Sequence, residues 1–279
     1  MTKKRLTRLL TVIAIAFVLT GCSRSNELIT LDTKFSDVMN DGFFTAIITY
    51  PLSQAINFLE PRVGIFLAIT LVTIVLNAIV MLITFRSSVA MQRMQELQPE
   101  LQKIQAKYEG RTDDVSQQRM AMEMQQLYAK YNVNPLGALL ATFIQFPLLI
   151  GMYNAVRRSE KVANAQFMNV SLSTSPGEAL KSKAWICVII FVLMVVCQFV
   201  SIKLPQLLAN KHGKEEADKH HKTYQPPQNQ NQMMTYSMLA MVAVVMYSCP
   251  TALSLYYCIS SIVNIFKTLI IDKMTHKEA

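Results

Sequence analysis

Polar side chains recur inside the apolar stretches of this sequence and are its most informative residues. Asn77 stands in the middle of LVTIVLNAIVML (71–82), and with Thr70, Thr73 and Thr84 it forms a series with steps of three, four and seven residues. These spacings place all four side chains on one face of a helix. Their chemistry is hydrogen bonding, and inside a lipid bilayer an amide or hydroxyl group must find its partner within the protein.

Three later apolar stretches carry polar side chains as well. Gln145 and Gln198 lie in two of them, and the last stretch places four on one face: Tyr257, Ser260, Asn264 and Lys267. Such residues commonly bridge transmembrane helices, so one interpretation is adhesion between helices. The other is the lining of a polar cavity, which repetition on several stretches favours. For Lys267 two placements stay open, inside such a cavity or at the inner membrane surface.

The residue types that carry out catalysis or hold metals do not form a recognisable pattern. HExxH, GxSxG and Walker motifs are absent from the sequence, and the apolar stretches hold no Asp or Glu before Asp272. The loop histidines and the cysteines after residue 22 lack metal-ligand spacing; they are His212, His220, His221, Cys187, Cys197, Cys249 and Cys258. The sequence therefore predicts a protein that is not an enzyme, has no metal site, and is no proton-coupled transporter.

The N-terminus predicts one covalent modification. Basic residues precede the apolar core Leu9–Leu19, which is too short to cross a bilayer, so residues 1–21 are predicted to be a secretion signal. The signal ends in Leu-Thr-Gly-Cys, which resembles the bacterial lipobox. Cys22 is thus expected to carry a diacylglycerol and an N-acyl lipid, the alternative being a free cysteine after an ordinary signal peptide.

The composition identifies the solvent of the remaining chain. Of 279 residues 52% are hydrophobic and 16% charged, and the mean hydropathy is +0.27, too apolar for an ordinary soluble domain. The formal net charge of +9 is distributed between the apolar stretches. This distribution suits loops beside anionic lipid and does not indicate a DNA-binding face, although an RNA-rich partner such as the ribosome remains open.

The apolar stretches predict an all-α membrane protein with five transmembrane helices enclosing a polar groove. Each is a stretch of helical length, free of charge except for Lys267 near the end of the last, and Pro250 separates the last two; the predicted spans are 63–85, 135–156, 184–202, 233–249 and 251–271. A lipid-anchored N-terminus lies outside, so five crossings put the C-terminus in the cytoplasm. Fifteen Lys and Arg of the mature chain then fall on the inner side and eight on the outer side.

Two further segments are predicted outside the bilayer. Within the outer segment 22–62, residues 43–59 are amphipathic and predict an interfacial helix bent at Pro51. Residues 86–134 predict a cytoplasmic helical hairpin with its turn at Gly110. The hairpin is rich in methionine, which suits an adaptable binding surface or simple packing between its two arms.

With this architecture in place, the order of motifs resembles the YidC/Oxa/Alb family of membrane protein insertases, in its Gram-positive bacterial lipoprotein form. The resemblance covers roughly residues 40–272 and rests on MQRMQELQPELQKIQAKY, YNVNPLGALLATFIQFPLLIGMYNAV and CPTALSLYYCISSIVNIF. It implies a multi-pass protein of the bacterial cell membrane, with residues 63–279 as the insertase domain. Such a protein receives nascent membrane proteins from the ribosome, alone or beside the Sec translocon, through a hydrophilic groove open to cytoplasm and lipid. A specialised assembly factor and a small-solute channel are the alternatives.

The resemblance also implies what this sequence lacks. Asn77 stands where these proteins typically carry a groove arginine, and Tyr257 where a tryptophan is common, whereas Gln145 and Gln198 match their family counterparts. Asn77 retains hydrogen bonding but offers no charge to an acidic client. We therefore expect a groove that relies on hydration, with Lys267 as the candidate for a relocated positive charge.

Overall fold

The chain is almost entirely helical in the computed structural model, which describes residues 27–111, 113–167, 170–219 and 229–275. The predicted signal peptide and Cys22 lie outside the described residues. The helices are α1 Phe35–Asp41, a π-helical turn Thr45–Thr49, α2 Tyr50–Val63, α3 Ile65–Glu96, α4 Gln98–Lys107, α5 Asp114–Lys130, α6 Pro135–Arg158, α7 Glu160–Asn164, α8 Pro176–Lys181, α9 Trp185–Lys219, α10 Asn229–Ser248 and α11 Thr251–Thr275. Two short antiparallel strands, β1 Gln166–Phe167 and β2 Val170–Ser171, lie between α7 and α8.

Three helices of the described residues are long and apolar enough to cross a membrane. They are α3, residues Trp185–Glu215 of α9, and α11. The prediction of a helical, multi-pass membrane protein is confirmed at this level. Helices α6 and α10 occupy the other two predicted spans, with Leu239–Ser248 as a shorter apolar helix, so the count of five stays a prediction.

The long helices do not end where their apolar stretches end. Helix α3 continues past residue 85 as far as Glu96, and α9 continues past residue 202 as far as Lys219. Residues 86–96 contain several strong helix formers and no glycine or proline. The helix ends only before Leu97, two residues ahead of Pro99. The first arm of the predicted hairpin is therefore largely a continuation of α3.

The segment ahead of α3 differs from the single bent helix expected over 43–59. A π-helical turn leads without a break into α2, and Pro51 lies directly after that turn. Helix α1 and the β1–β2 hairpin were not predicted from the sequence. Strands of two residues are too short for an alternating pattern to reveal.

The chain divides into two compact units, and the boundaries fall inside the long helices. Of the described residues, the first unit contains 27–76, 143–194 and 244–260; the second contains those within 77–142, 195–243 and 261–275. In the second unit, α4 and α5 are joined by hydrogen bonds from Lys107 Nζ and Tyr108 Oη to Glu123 Oε1. These hydrogen bonds lower the pKa of the Glu123 carboxyl, the one from Lys107 contributing most.

Polar contacts fix the chain ahead of α1 in the first unit. The guanidinium of Arg158, which is 5% exposed, donates from Nη2 to Asp41 Oδ2 at 2.6 Å and from Nε to the carbonyl of Glu27 at 2.9 Å. The carbonyl of Arg158 in turn accepts from the backbone N–H of Ile29 at 2.6 Å. A buried guanidinium requires such partners, so Arg158 holds residues 27–41 against the end of α6.

Asn57 of α2 connects the same segments. Its Nδ2 donates to the carbonyl of Ile29 at 2.6 Å, and its Oδ1 accepts from Ser159 Oγ at 2.6 Å. All three residues are buried. One amide thus joins α2, the segment before α1 and the turn between α6 and α7 through hydrogen bonds at both of its ends.

Gly151 of α6 allows the π-helical turn to pack against it. A Cβ built at this position would lie 2.3 Å from Cγ2 of Ile48 and 3.3 Å from its Cβ. Ile48 is β-branched and has few alternative rotamers, so a larger residue at 151 cannot be accommodated without moving the turn.

We therefore expect Gly151→Ala to lower the free energy of unfolding by about 1–3 kcal/mol, the range for overpacking a close contact. Gly137→Ala is the matched control on the same helix, because its Cβ would meet only the Asn134 side chain at 3.7 Å. Thermal unfolding of the purified protein in detergent measures both. Equal melting temperatures for the two variants would contradict the close packing at Gly151.

Candidate functional site

Helix α11 is the most buried of the three described helices that are long and apolar enough to cross a membrane, and its first half carries a network of polar side chains in the first unit. Residues 251–256 are all buried, and Tyr256 is 1% exposed. The Tyr256 hydroxyl lies close enough to the side chains of Ser260 and Gln145 to interact with both. The structure thus brings together two predicted groove residues, one on α6 and one on α11, through a third residue that the sequence analysis did not select.

Tyr257, which was selected, lies half-buried beside this network. Its ring packs edge to face on Tyr256 with the ring centroids 5.6 Å apart. Tyr257 was predicted to line the groove because it shares a helical face with Ser260 and Asn264. A helix of this length has polar residues on more than one buried face, and periodicity alone does not reveal which tyrosine meets a partner from another helix.

The threonines of α3 are satisfied within their own helix. Thr70 Oγ1 donates to the carbonyl of Phe66 at 2.8 Å, and Thr73 Oγ1 donates to that of Ile69 at 2.7 Å. In the second unit Thr84 repeats this arrangement with Val80. Because these hydroxyl protons already have acceptors, a threonine at such a position is compatible with a dry helix contact as well as with a polar cavity.

The second unit contains the remaining predicted residues. Gln198 Oε1 accepts a hydrogen bond from Ser261 Oγ at 2.5 Å, which links α9 to α11. Asn77 is half-buried on α3, and Asn264 and Lys267 are half-buried one turn apart on α11. The structure thus connects Gln198 to Ser261, the direct neighbour of the predicted Ser260.

The polar and apolar faces of these helices are arranged as in a lipid environment. The exposed side of α3 is apolar, whereas Thr73 and Thr84 on the same helix are buried; the exposed large side chains of α3 include Leu67, Leu71, Ile74, Val75 and Ile79. On α11 the exposed side likewise includes Ile262, Phe266, Leu269 and Ile270. Water would favour the opposite arrangement, so the polar side chains act inside the protein and the apolar ones face acyl chains.

The predicted groove residues that the structure describes provide hydrogen-bond donors and acceptors. Among the described residues, no three His, Cys, Asp or Glu side chains are grouped so that they could hold a metal ion. What the polar residues can do is hydrate or bind a polar segment in a site that would otherwise be apolar.

Comparison with known proteins places the chain among membrane insertases. The model of the family described as the 60Kd inner membrane protein matches residues 59–278. The chain is similar to the membrane protein insertase MisCA of Bacillus subtilis, with 31% identity over 96% of this chain and 92% of that protein. It is 30% identical to the membrane protein insertase YidC 2 of Bacillus anthracis (96% and 94% covered) and 28% identical to YidC of Oceanobacillus iheyensis (97% of each).

The Tyr256 network makes a prediction about stability. Removing the hydroxyl in Tyr256→Phe leaves Gln145 and Ser260 without a shared partner, so we expect the free energy of unfolding to fall by about 1–2 kcal/mol. Tyr257→Phe is the control and should change it much less. The double variant Tyr256→Phe/Gln145→Leu should lose less unfolding free energy than the sum of the losses in the two single variants. Thermal unfolding in nanodiscs measures all three. Additive losses would show that the two side chains do not act together.

Proposed function

The chain belongs to the family of the 60Kd inner membrane protein, and from this premise we propose that it is a membrane protein insertase and chaperone. The observation that carries the proposal is the family match over residues 59–278, which includes α3 and α11 with their inward polar side chains. The activity requires no covalent catalysis, because its task is to move a polar segment past hydrocarbon and release an apolar segment into lipid.

The physical mechanism is a reduction of the transfer cost. A polar or charged tail crossing bare hydrocarbon costs several kcal/mol per group, and a hydrated groove shortens the dry distance and supplies hydrogen-bond partners. We propose five spans that form a groove open to cytoplasm and lipid, with the polar residues singled out in the sequence as its lining. Partition of the client's apolar segment supplies the driving force, and the membrane potential adds about 2.3 kcal/mol per charge per 100 mV.

Lys267 is the proposed positive charge of this mechanism. Position 77 holds a neutral amide, and Arg86 is exposed nine residues further along α3, roughly 13 Å nearer the cytoplasm at 1.5 Å per residue. Lys267 is half-buried on α11 in the same unit as Asn77. A cation at this depth is expensive unless it meets a negative partner, and we propose that acidic residues in client tails supply that partner during insertion.

Reconstitution of the purified protein into liposomes tests both the function and the role of Lys267. We expect insertion of single-span clients with either acidic or neutral tails. Lys267→Gln should slow the insertion of acidic-tailed clients several-fold and leave the insertion of neutral-tailed clients unchanged. Adding Asn77→Arg to Lys267→Gln should restore the insertion of acidic-tailed clients, because one cation attracts one carboxylate in a partly dry site. Lys273→Gln, an exposed lysine on the same helix, is the control.

The results separate the alternatives. Equal slowing of both client types by Lys267→Gln would remove the charge argument and leave the insertase function in place. Solute flux without client insertion would favour a channel. A specialised assembly factor is favoured if the liposomes show neither client insertion nor solute flux, but expression of the protein in a bacterium depleted of its own insertase restores a few clients only.

The proposed partners follow from the same function. The relatives are named membrane protein insertases, so nascent membrane proteins are the proposed clients of this chain. We propose that ribosomes deliver them at the cytoplasmic side, where fifteen Lys and Arg of the mature chain are expected, and that the protein acts alone or beside the Sec translocon.

We also propose that the mature N-terminus lies outside and is anchored by lipid at Cys22, with the C-terminus in the cytoplasm. Glu27, whose carbonyl is bound by Arg158, follows Cys22 by five residues, which span at most about 18 Å. The nearby segment exposes apolar side chains at intervals of four, with exposed fractions from 43% to 60%: Phe35, Met39, Phe43 and Ile47. These exposed apolar side chains, within reach of an acyl anchor, suit insertion into the outer leaflet.

Tryptophan quenching tests this placement. In a Trp185→Phe background, Phe43→Trp should be quenched by brominated lipids, and Asn40→Trp, an exposed polar position, should be quenched by acrylamide instead. Incorporation of labelled palmitate should disappear in Cys22→Ser. Acrylamide quenching at both positions would contradict the interfacial placement, and palmitate labelling that persists in Cys22→Ser would contradict the anchor.

A further inference from the structure

Three helices of the second unit meet at one carboxylate. Asp272 of α11 accepts a hydrogen bond at Oδ1 from Nε2 of Gln92 on α3, at 3.0 Å. The same oxygen lies 2.9 Å from Nε2 of His212 on α9. An ionised carboxylate only accepts hydrogen bonds, so the imidazole carries its proton on Nε2 and donates it. We call these three residues the Asp272 cluster.

The cluster joins distant parts of the sequence. Gln92 and Asp272 are 180 residues apart, and His212 and Asp272 are 60 apart. The helices involved are the three that are long and apolar enough to cross a membrane among the described residues. In each helix the cluster residue lies beyond the apolar stretch, in the part predicted to reach the cytoplasm. The cluster therefore fixes the inner ends of these helices to one another.

The cluster is partly shielded from solvent, and this shielding strengthens its hydrogen bonds. Gln92 is 7% exposed, and the side chains of His212 and Asp272 are 19% and 17% exposed. Hydrogen bonds to a carboxylate are stronger than neutral ones and are screened less when partly buried. This distinguishes the cluster from a surface ion pair such as Lys211–Glu215, whose side chains are more than half exposed.

A second carboxylate lies near the other nitrogen of the His212 ring. Glu215 Oε2 lies 3.7 Å from Nδ1 of His212, on the side of the ring away from Asp272. When the imidazole is neutral, Nδ1 carries no proton and has nothing to donate to Glu215; when it is charged, both nitrogens face carboxylates. The other charged groups nearby are Lys211, which lies 3.8 Å from Glu215, and the exposed Arg93 and Lys273 beside Gln92 and Asp272.

We propose that Gln92, His212 and Asp272 form a proton-sensitive clamp that positions the inner ends of α3, α9 and α11. Protonation of His212 tightens the clamp, because the bond from Nε2 to Asp272, which joins α9 to α11, then carries a full positive charge, and Glu215, three residues along α9, stabilises the imidazolium. Loss of that proton leaves a neutral Nε2–H bond to Asp272. Resting on the insertase function proposed above, the clamp controls how readily a client is admitted between the inner ends of these helices.

Helix separation measures the clamp without any insertion assay. With Cys187, Cys197, Cys249 and Cys258 replaced and Cys22 kept, spin labels at Lys214→Cys on α9 and Lys273→Cys on α11 report the distance between the two helix ends. We expect a narrow distribution at pH 5.5 and a broader one at pH 8, since histidine ordinarily changes charge within this range. The proposal is overturned if the distributions at the two pH values coincide.

Variants assign this response to the cluster. His212→Gln retains a donor but cannot be charged, and Asp272→Asn retains hydrogen bonding without a negative charge. Each should give the same distribution at pH 5.5 and pH 8. His276→Gln, another histidine on the chain, is the matched control and should respond as the unmodified protein does. A pH response that survives in His212→Gln would overturn the proposal.

Insertion into liposomes supplies the functional result. We expect insertion of a neutral-tailed client to be about two- to fivefold slower at pH 5.5 than at pH 8, the range of an ordinary ion pair. His212→Gln should remove this difference, whereas His276→Gln should not. If insertion is absent at every pH, the insertase function fails and the spin-label distances still decide the clamp. If insertion occurs with the same pH profile in His212→Gln, the clamp does not control it.

Discussion

The interior of a bilayer contains almost no water, so every polar group placed there must be satisfied by the protein, and this constraint orders the described structure. The threonines of α3 use the carbonyls of their own helix. The amide of Gln145 reaches Tyr256, and that of Gln198 reaches Ser261, each on α11. The apolar side chains face outward, because lipid leaves no hydrophobic gain from turning them inward.

The same constraint explains why charged and amide groups at the helix ends connect remote segments. Arg158 is buried and charged, so the chain before α1 folds back to supply Asp41 and the carbonyl of Glu27. Asn57 uses both ends of its amide to join two further segments. Asp272 plays the same part at the predicted cytoplasmic ends of α3, α9 and α11, where it contacts Gln92 and His212. Buried polar groups of this kind restrict the arrangement of helices more than apolar contacts do, because hydrogen bonds have direction.

An insertase places few demands on individual side chains, which is consistent with the substitutions in this chain. Hydration and partition do the physical work, and both depend on the sum of polar groups lining a site. We therefore expect an amide at position 77 to preserve the proposed activity, whereas an enzyme that lost a catalytic cation would not keep its own. The property that we expect to change is client preference, since attraction of acidic tails depends on where a positive charge lies.

The sequence by itself determined the membrane class, the long helices and the family, because these follow from hydropathy, helical spacing and motifs that are local in the chain. It placed Gln145, Gln198 and Ser260 among the polar residues within apolar stretches, and the structure shows the side chains they meet. It did not reveal Tyr256, the continuation of α3 to Glu96, or the meeting of Gln92, His212 and Asp272. Those features were decided by tertiary structure, because a hydrogen bond between residues 60 or 180 positions apart has no local signature and forms only when packed helices bring its two ends together.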